Sequence, residues 1–200
     1  MKRVVTISRE FGAGGHSLGK MVAEQLGIAF YDQQIIERAV AETGFSPEFV
    51  KEAGEYASTT HSFLFNLALS HSVSAAAGDL SNYDKIYIVQ ARIIRELADK
   101  APCVIVGRCA DYVLRDREDC FNVFVLADRE TRARRVLEVY GEIEGKSIEE
   151  RLDEKDKKRR LYYKHYTDRD WGILQNYHLT VNTGVIPTEL AAKWICEAVK

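Results

Sequence analysis

RVVTISREFGAGGHSLGKMVAEQLG, residues 3–27, sets the reading of the whole chain. Val4, Val5, Thr6 and Ile7 are β-branched and form a buried-type run, so Arg3–Ser8 reads as a β-strand. Gly12, Gly14 and Gly15 follow within four positions. Leu18, Met21, Val22, Ala23 and Leu26 then recur at helical spacing, and Gly27 closes that helix. The order strand, glycine-rich loop, helix is the setting in which backbone amides converge on a phosphate. The helix N-terminus adds roughly half a positive charge behind them. Ser17, in the first turn, is placed to offer its hydroxyl to a magnesium ion.

A complete phosphate loop reads GxxxxGK[ST], and this one lacks the lysine. With Ser17 in the hydroxyl position, Gly15 holds the lysine place and Arg9 the first glycine place. Lys20 lies about a helical turn too late. Arg9 or His16 is therefore expected to bring the missing charge, and Arg9 is favoured because it sits inside the loop. An ion pair with Glu10 is the plainer use of Arg9.

The chain has 200 residues, 46% of them hydrophobic, which suits one domain with a sizeable core. Lys+Arg of 28 against Asp+Glu of 30 leaves no global pull toward a nucleic acid polymer or a membrane. Cys103, Cys109, Cys120 and Cys196 show no CxxC spacing, which argues against a zinc site or a disulfide framework. The N-terminus runs straight into a strand without a signal or membrane segment, so a reducing cytoplasm is expected.

Ile28–Tyr31 reads as a second strand, and Asp32 as the N-cap of a helix reaching Glu42. Ser46-Pro47-Glu48 starts another helix. Tyr56–Ser81 is rich in Ser, Ala, Thr and His, with a helix expected over 62–76. That excursion suits either a substrate-covering segment or a surface for a second copy of the chain; His61 and His71 read as surface residues. Asn82 is expected to cap a long helix, Tyr83–Ala98, with Ile86, Val89, Ile93, Ile94 and Leu97 as its buried stripe. Cys103–Gly107 and Cys120–Leu126 read as buried strands, each followed by arginines: Arg108 after the first, and Arg129, Arg132, Arg134 and Arg135 on a helix capped by Asp128 after the second. Ser147 and Glu150 form a capping box for a charged helix with five cations in 155–160. A solvated face explains most such runs; beside an arginine-rich helix it also suits a phosphate clamp. A fifth strand, Tyr177–Asn182, and a closing helix, Pro187–Val199, complete a βα alternation that implies a parallel sheet covered on both faces.

ISREFGAGG, LGIAFYD, VIVGRCAD, VFVLADRETRARR and YHLTVNTG, in that order, resemble the cytidylate kinase-like family, a branch of the nucleoside monophosphate kinases with the P-loop fold. The resemblance implies a three-layer α/β/α domain with a five-stranded parallel sheet in the order 2-3-1-4-5. It implies a helical acceptor-binding segment at 32–101 and a lid at 141–166. The implied reaction is transfer of the γ-phosphoryl group of ATP, with Mg2+, to a nucleoside monophosphate or a related small metabolite.

Residue by residue, the resemblance implies that Gly12, Ala13, Gly14, Gly15, His16 and Ser17 hold the donor phosphates, with Arg132, Arg135 and Lys155 assisting. Asp32, Arg108, Asp111 and Asp156 fall at acceptor-side positions. Arg9, Arg108, Arg159 and Arg160 would surround the transferring group, and Ser17 would reach the metal. The chain departs from the family pattern at the loop lysine, at Cys109 where an aspartate is usual, and in the shifted lid followed by Tyr162 and Tyr163. Two alternatives stand beside an active kinase: a nucleotide-binding regulatory protein with a degenerate loop, and a subunit whose 56–81 excursion forms an oligomer interface.

Overall fold

The computed structural model describes residues 3–54, 80–142 and 144–200. The helix expected over 62–76, with His61 and His71, lies outside them.

Five parallel strands form the sheet: β1 (Val4–Arg9), β2 (Ala29–Tyr31), β3 (Cys103–Val106), β4 (Cys120–Leu126) and β5 (Leu179–Asn182). Their order is β2-β3-β1-β4-β5. Val5 of the central strand pairs with Val104 on one side and Phe121 on the other. Both faces of the sheet are buried, and the period-2 alternation divides its side chains between two cores. Val5, Ile7, Val104, Val106, Val123 and Val125 face one core. Helices α1 (Gly15–Leu26) and α8 (Thr188–Val199) cover that face through Leu18, Val22, Ala192 and Ile195.

Val4, Cys103 and Ile105 face the other core. It is closed by α2 (Gln33–Thr43), α3 (Pro47–Ala53), α4 (Asn82–Lys100) and the short α5 (Ala110–Val113). Helix α6 (Arg129–Tyr140) packs on α7 (Ile148–Thr167). Although α7 falls mostly within the stretch expected as a lid, its second half enters this core through Tyr162, Tyr163 and Tyr166. The Tyr87 and Tyr166 rings stack at 4.0 Å between α4 and α7.

Local chemistry sets the helix ends. Asp128 accepts the Thr131 amide at 2.8 Å, and Ser147 and Glu150 complete a reciprocal capping box. Ser81 rather than Asn82 caps α4, accepting the Asp84 amide at 3.2 Å. Asp32 stands at the N-cap position of α2 but makes no capping bond, because its carboxylate turns to His16. All four cysteines are free and buried. No described helix is long and apolar enough to cross a membrane.

Candidate active site

The loop between β1 and α1 is fixed from below. The Glu10 amide donates to the Val125 carbonyl at 3.0 Å, and the Phe11 amide to Asp156 Oδ1 at 2.8 Å. Thr183 Oγ1 donates to the Ala13 carbonyl at 2.7 Å. Gly12 and Gly14 adopt φ of 81° and 78°, the left-handed region that favours glycine. A β-carbon on Gly12 would also meet the Arg132 carbonyl at 2.8 Å, so α6 abuts the loop directly. Helix α1 begins at Gly15, and its first-turn amides have no intrahelical carbonyl to bond.

Gly15 occupies the place of the loop lysine, and its surroundings explain the exchange. A β-carbon there would stand 2.6 Å from Cβ and 2.8 Å from Cγ of Arg9. Any side chain at 15 and the arginine at 9 exclude one another. The Arg9 guanidinium continues across the end of the sheet to Gly107, filling the space a side chain would take there. The Arg9 carbonyl accepts Arg159 Nη1 at 3.0 Å, which ties α7 to the end of β1.

Two cavities open at the carboxyl ends of the strands, where open α/β sheets bind ligands. The larger, about 430 Å³, lies over Gly12, Gly14, Gly15, His16 and Ser17, with Asp32, Arg135 and Tyr140 on its walls. The smaller, about 40 Å³, is lined by Arg9, Arg108, Arg159, Tyr162, Tyr163 and Trp171, among others. Arg9 and Arg159 line both, so these two residues stand between them, the Arg9 stem beside Gly15 on the larger and its guanidinium beside Gly107 on the smaller.

Arg108 reaches the smaller cavity from a strained corner. Gly107, Arg108 and Cys109 have φ of 74°, 58° and 53°, three left-handed residues in succession after β3. Non-glycine residues hold such backbone at a cost, and it gathers at functional sites. The Arg108 guanidinium packs against Gly54 at the end of α3, where a β-carbon would collide with it. Among the described residues it makes no hydrogen bond or ion pair.

The other expected site residues divide into those that face the cavities and those that brace them. Arg135 lies beside Gly14 on the larger cavity and is held by the Thr183 hydroxyl and carbonyl at 3.0 and 2.9 Å. His16 Nδ1 lies 2.8 Å from Asp32 Oδ2, joining the loop to the start of α2.

Arg132 and Asp156, expected on the donor and acceptor sides, are 8% and 4% exposed and bond each other at 2.5 Å beneath the loop. Glu10 joins them, its Oε2 lying 3.5 Å from Arg132 Nε. Burial pushes the Glu10 carboxyl above its ordinary value, and Arg132 and the Ala127 amide reverse only part of that. Asp111 is buried and accepts the Tyr163 hydroxyl at 2.6 Å. Arg160 is exposed and Lys155 half-buried on α7, and neither lines the two cavities. Lys20 is also exposed and away from both.

Gly54, Cys109, Tyr162, Tyr163 and Trp171 complete the smaller cavity. Their traces in the sequence are two departures from the family pattern, Cys109 after Arg108 and the tyrosine pair after the shifted lid. Among the described residues no group of three His, Cys, Asp or Glu side chains is able to hold a metal ion. Magnesium needs none: it commonly takes one or two protein oxygens and fills its shell with phosphate and water. Ser17, exposed on the larger cavity, fits that sparse role.

The sheet order and the loop at the end of β1 define the P-loop kinase fold. Residues 4–185 match the cytidylate kinase-like family, and the chain belongs to it. No curated protein sequence matches the chain. Among solved structures, an uncharacterized protein from Eubacterium ventriosum is similar at 25% identity and TM-score 0.71, covering 98% of this chain and 97% of that one. Shikimate kinase from Bacteroides thetaiotaomicron has TM-score 0.58 at 15% identity, covering 100% and 99%. Shikimate kinase from Acinetobacter baumannii, in complex with shikimate, has TM-score 0.54 at 15% identity, covering 100% and 93%. At 15% identity these kinases share the fold with the chain, and their substrate is their own.

Proposed function

We propose that the chain is a phosphotransferase that moves the γ-phosphoryl group of ATP to a nucleoside monophosphate or a related small metabolite. The larger cavity takes the donor phosphates on the Gly12–Ser17 amides, with Arg135 alongside. The smaller takes the reacting end of the acceptor beside Arg108. The partition of Arg9 and Arg159 then lies where charge builds up on the transferring group. Catalysis of this kind is mainly positioning and fixed positive charge. Magnesium, held by Ser17 and the phosphates, would neutralise the donor. Segments 32–101 and 141–166 serve as acceptor-binding and lid regions in this reading. Arg132 and Asp156 act beneath the loop, as its braces.

One observation carries the proposal: the stem of Arg9 fills the space of the loop lysine beside Gly15 and its guanidinium reaches Gly107 on the adjoining smaller cavity. A lost electrostatic donor costs about 10²–10³ in rate, and Arg9 offsets that loss. The test is a nucleotide panel by calorimetry with magnesium, followed by turnover with a panel of acceptors. Arg9→Ala should lose ATP affinity and rate, while Lys20→Ala keeps both. Loss in Lys20→Ala alone would overturn the assignment.

The missing lysine supports a second reading, a nucleotide-binding regulatory protein. Tight ATP binding with no turnover on any acceptor would decide for it. Four buried free cysteines fit a reducing cytoplasm. Homodimerisation through 56–81 is tested by gel filtration.

A further inference from the structure

His16 and Asp32 form a dyad on the wall of the larger cavity, and the reaction above uses neither side chain. Nδ1 of His16 lies 2.8 Å from Asp32 Oδ2. A carboxylate only accepts, so Nδ1 carries the hydrogen, and Nε2 of the neutral ring presents its lone pair. Among the described residues Nε2 has no hydrogen-bond partner, and the His16 side chain is 60% exposed. The imidazole meets the Phe30 ring edge-on, with centroids 5.2 Å apart. Strand β2 and the start of α2 thus hold the ring, and its second nitrogen stays open.

The pairing sets a local rule aside. Asp32 stands at the N-cap of α2, where its carboxylate would stabilise the helix, and makes no capping bond. Departures of this kind gather at functional sites. The place is also right. His16 stands between Gly15 and Ser17, which line the same cavity, so the dyad borders the space given to the donor phosphates. Other nucleophiles on that wall lack such support. Among the described residues the hydroxyls of Ser17, Thr188 and Tyr140 bond no base, and the Glu10 carboxylate is turned to Arg132. A nucleophile oriented by a third group that offsets its charge is the pattern of covalent catalysis, which divides one difficult step into two.

We infer that His16 is a phosphoryl-accepting nucleophile: its Nε2 takes the γ-phosphoryl group from ATP and passes it to the acceptor, with Asp32 as the positioning residue. This rests on the phosphotransferase reading and divides its transfer in two. In the first step the Nε2 lone pair bonds to the γ-phosphorus. The bond from that phosphorus to the bridging oxygen breaks, and its electron pair leaves with ADP. The ring keeps its Nδ1 hydrogen and gains a positive charge, which the Asp32 carboxylate faces. In the second step an ionised oxygen of the acceptor phosphate bonds to the phosphorus. The nitrogen–phosphorus bond breaks, and its electron pair returns to Nε2. No proton moves in either step.

The full chain is mixed with magnesium and ATP labelled in its γ-phosphoryl group, without acceptor. Label should approach one phosphoryl group per chain, stable in alkali and lost in acid, as a nitrogen–phosphorus bond is. Unlabelled ADP should discharge it as ATP. His16→Gln should take up none. Asp32→Asn keeps a hydrogen-bonding group beside the ring but not the charge, and should slow labelling about 10- to 100-fold, the loss of a charge-assisted hydrogen bond. Calorimetry with ADP separates that slowing from a lost fold, because both variants should still bind ADP. Mass spectrometry of the labelled wild type should place the group on His16, which decides the matter should a variant fail to fold. ADP binding without labelling overturns the inference, as does label that is stable in acid, lost in alkali or present in His16→Gln. Turnover on an acceptor in those cases leaves the phosphotransferase reading standing. Labelled His16 that passes its group to no acceptor supports the nucleophile and overturns transfer to a metabolite. Failure of the wild type to bind ADP overturns both.

Discussion

Arg132 and Asp156, on separate helices, meet at 2.5 Å beneath the phosphate loop, and the second oxygen of Asp156 accepts the Phe11 amide at 2.8 Å. One carboxylate thus ties α6, α7 and the loop together. Removing it as Asp156→Ala leaves the buried guanidinium with only the more distant Glu10 carboxylate and should cost up to about 3–5 kcal/mol in urea unfolding. Replacing both partners by apolar residues, Arg132→Met with Asp156→Leu, should recover most of that stability. The loop should still lose order, because the Phe11 amide then has no acceptor, and nucleotide affinity should stay low.

Gly15 and Arg9 are mutually exclusive with a loop lysine. Gly15→Lys alone should weaken nucleotide binding and cost about 1–3 kcal/mol from overpacking. Even a β-carbon at position 9 stands 2.6 Å from the one introduced at 15, so Arg9→Ala will not relieve the clash. Combining Gly15→Lys with Arg9→Gly should restore stability and nucleotide affinity together. Calorimetry on the two single variants and the double variant checks this, and an unrecovered double would count against the steric account.

Asp111 supplies a pH dependence. Burial raises its carboxyl above the ordinary 3.8, and the bonds from Tyr163 and the Asp111 and Tyr112 amides only partly reverse this. The folded state therefore holds the proton more tightly than the unfolded one. This contribution to stability is full below pH 3.8 and is lost as pH rises through the folded value. Asp111→Asn lacks that titration. The melting temperature of the variant minus that of wild type should become more positive from pH 4 toward pH 7; a flat or falling difference would contradict it.

Gly54→Ala separates fold from site. Gly54 has φ of −71° and right-handed backbone, so alanine is tolerated there. Among the described residues the atoms nearest the new methyl group belong to the far end of Arg108, and it would push that guanidinium out of the smaller cavity. The melting temperature should hold, while the acceptor KM rises roughly 10- to 100-fold, as for a lost charged hydrogen bond. Steady-state kinetics with acceptor varied at saturating ATP reads the split.

Most of the frame was legible from residue patterns. The β-branched runs marked the strands, and Asp128 and Ser147 with Glu150 marked helix starts, because capping is decided within four residues. Asp32 holds the N-cap position its pattern indicates, but its carboxylate goes to His16, a partner from another element that no local spacing reveals. Asn82 and Ser81 are both good caps, and only the backbone chose between them. The charged run from Lys155 to Arg160 hid its division of labour: one turn of helix points Arg159 into the cavities, buries Asp156 and leaves Arg160 outside. Arg108 was legible as a residue of interest, yet its strained corner and its rest on Gly54 are tertiary facts that no local spacing carries.

The steric bar between positions 9 and 15 also has a historical consequence. A descendant moving from a lysine-bearing loop to this arrangement, or back, cannot change one position first without passing through a protein either crowded or stripped of a cation. The two chemistries are therefore separated by a fitness valley, and lineages on either side should keep their choice at both positions together.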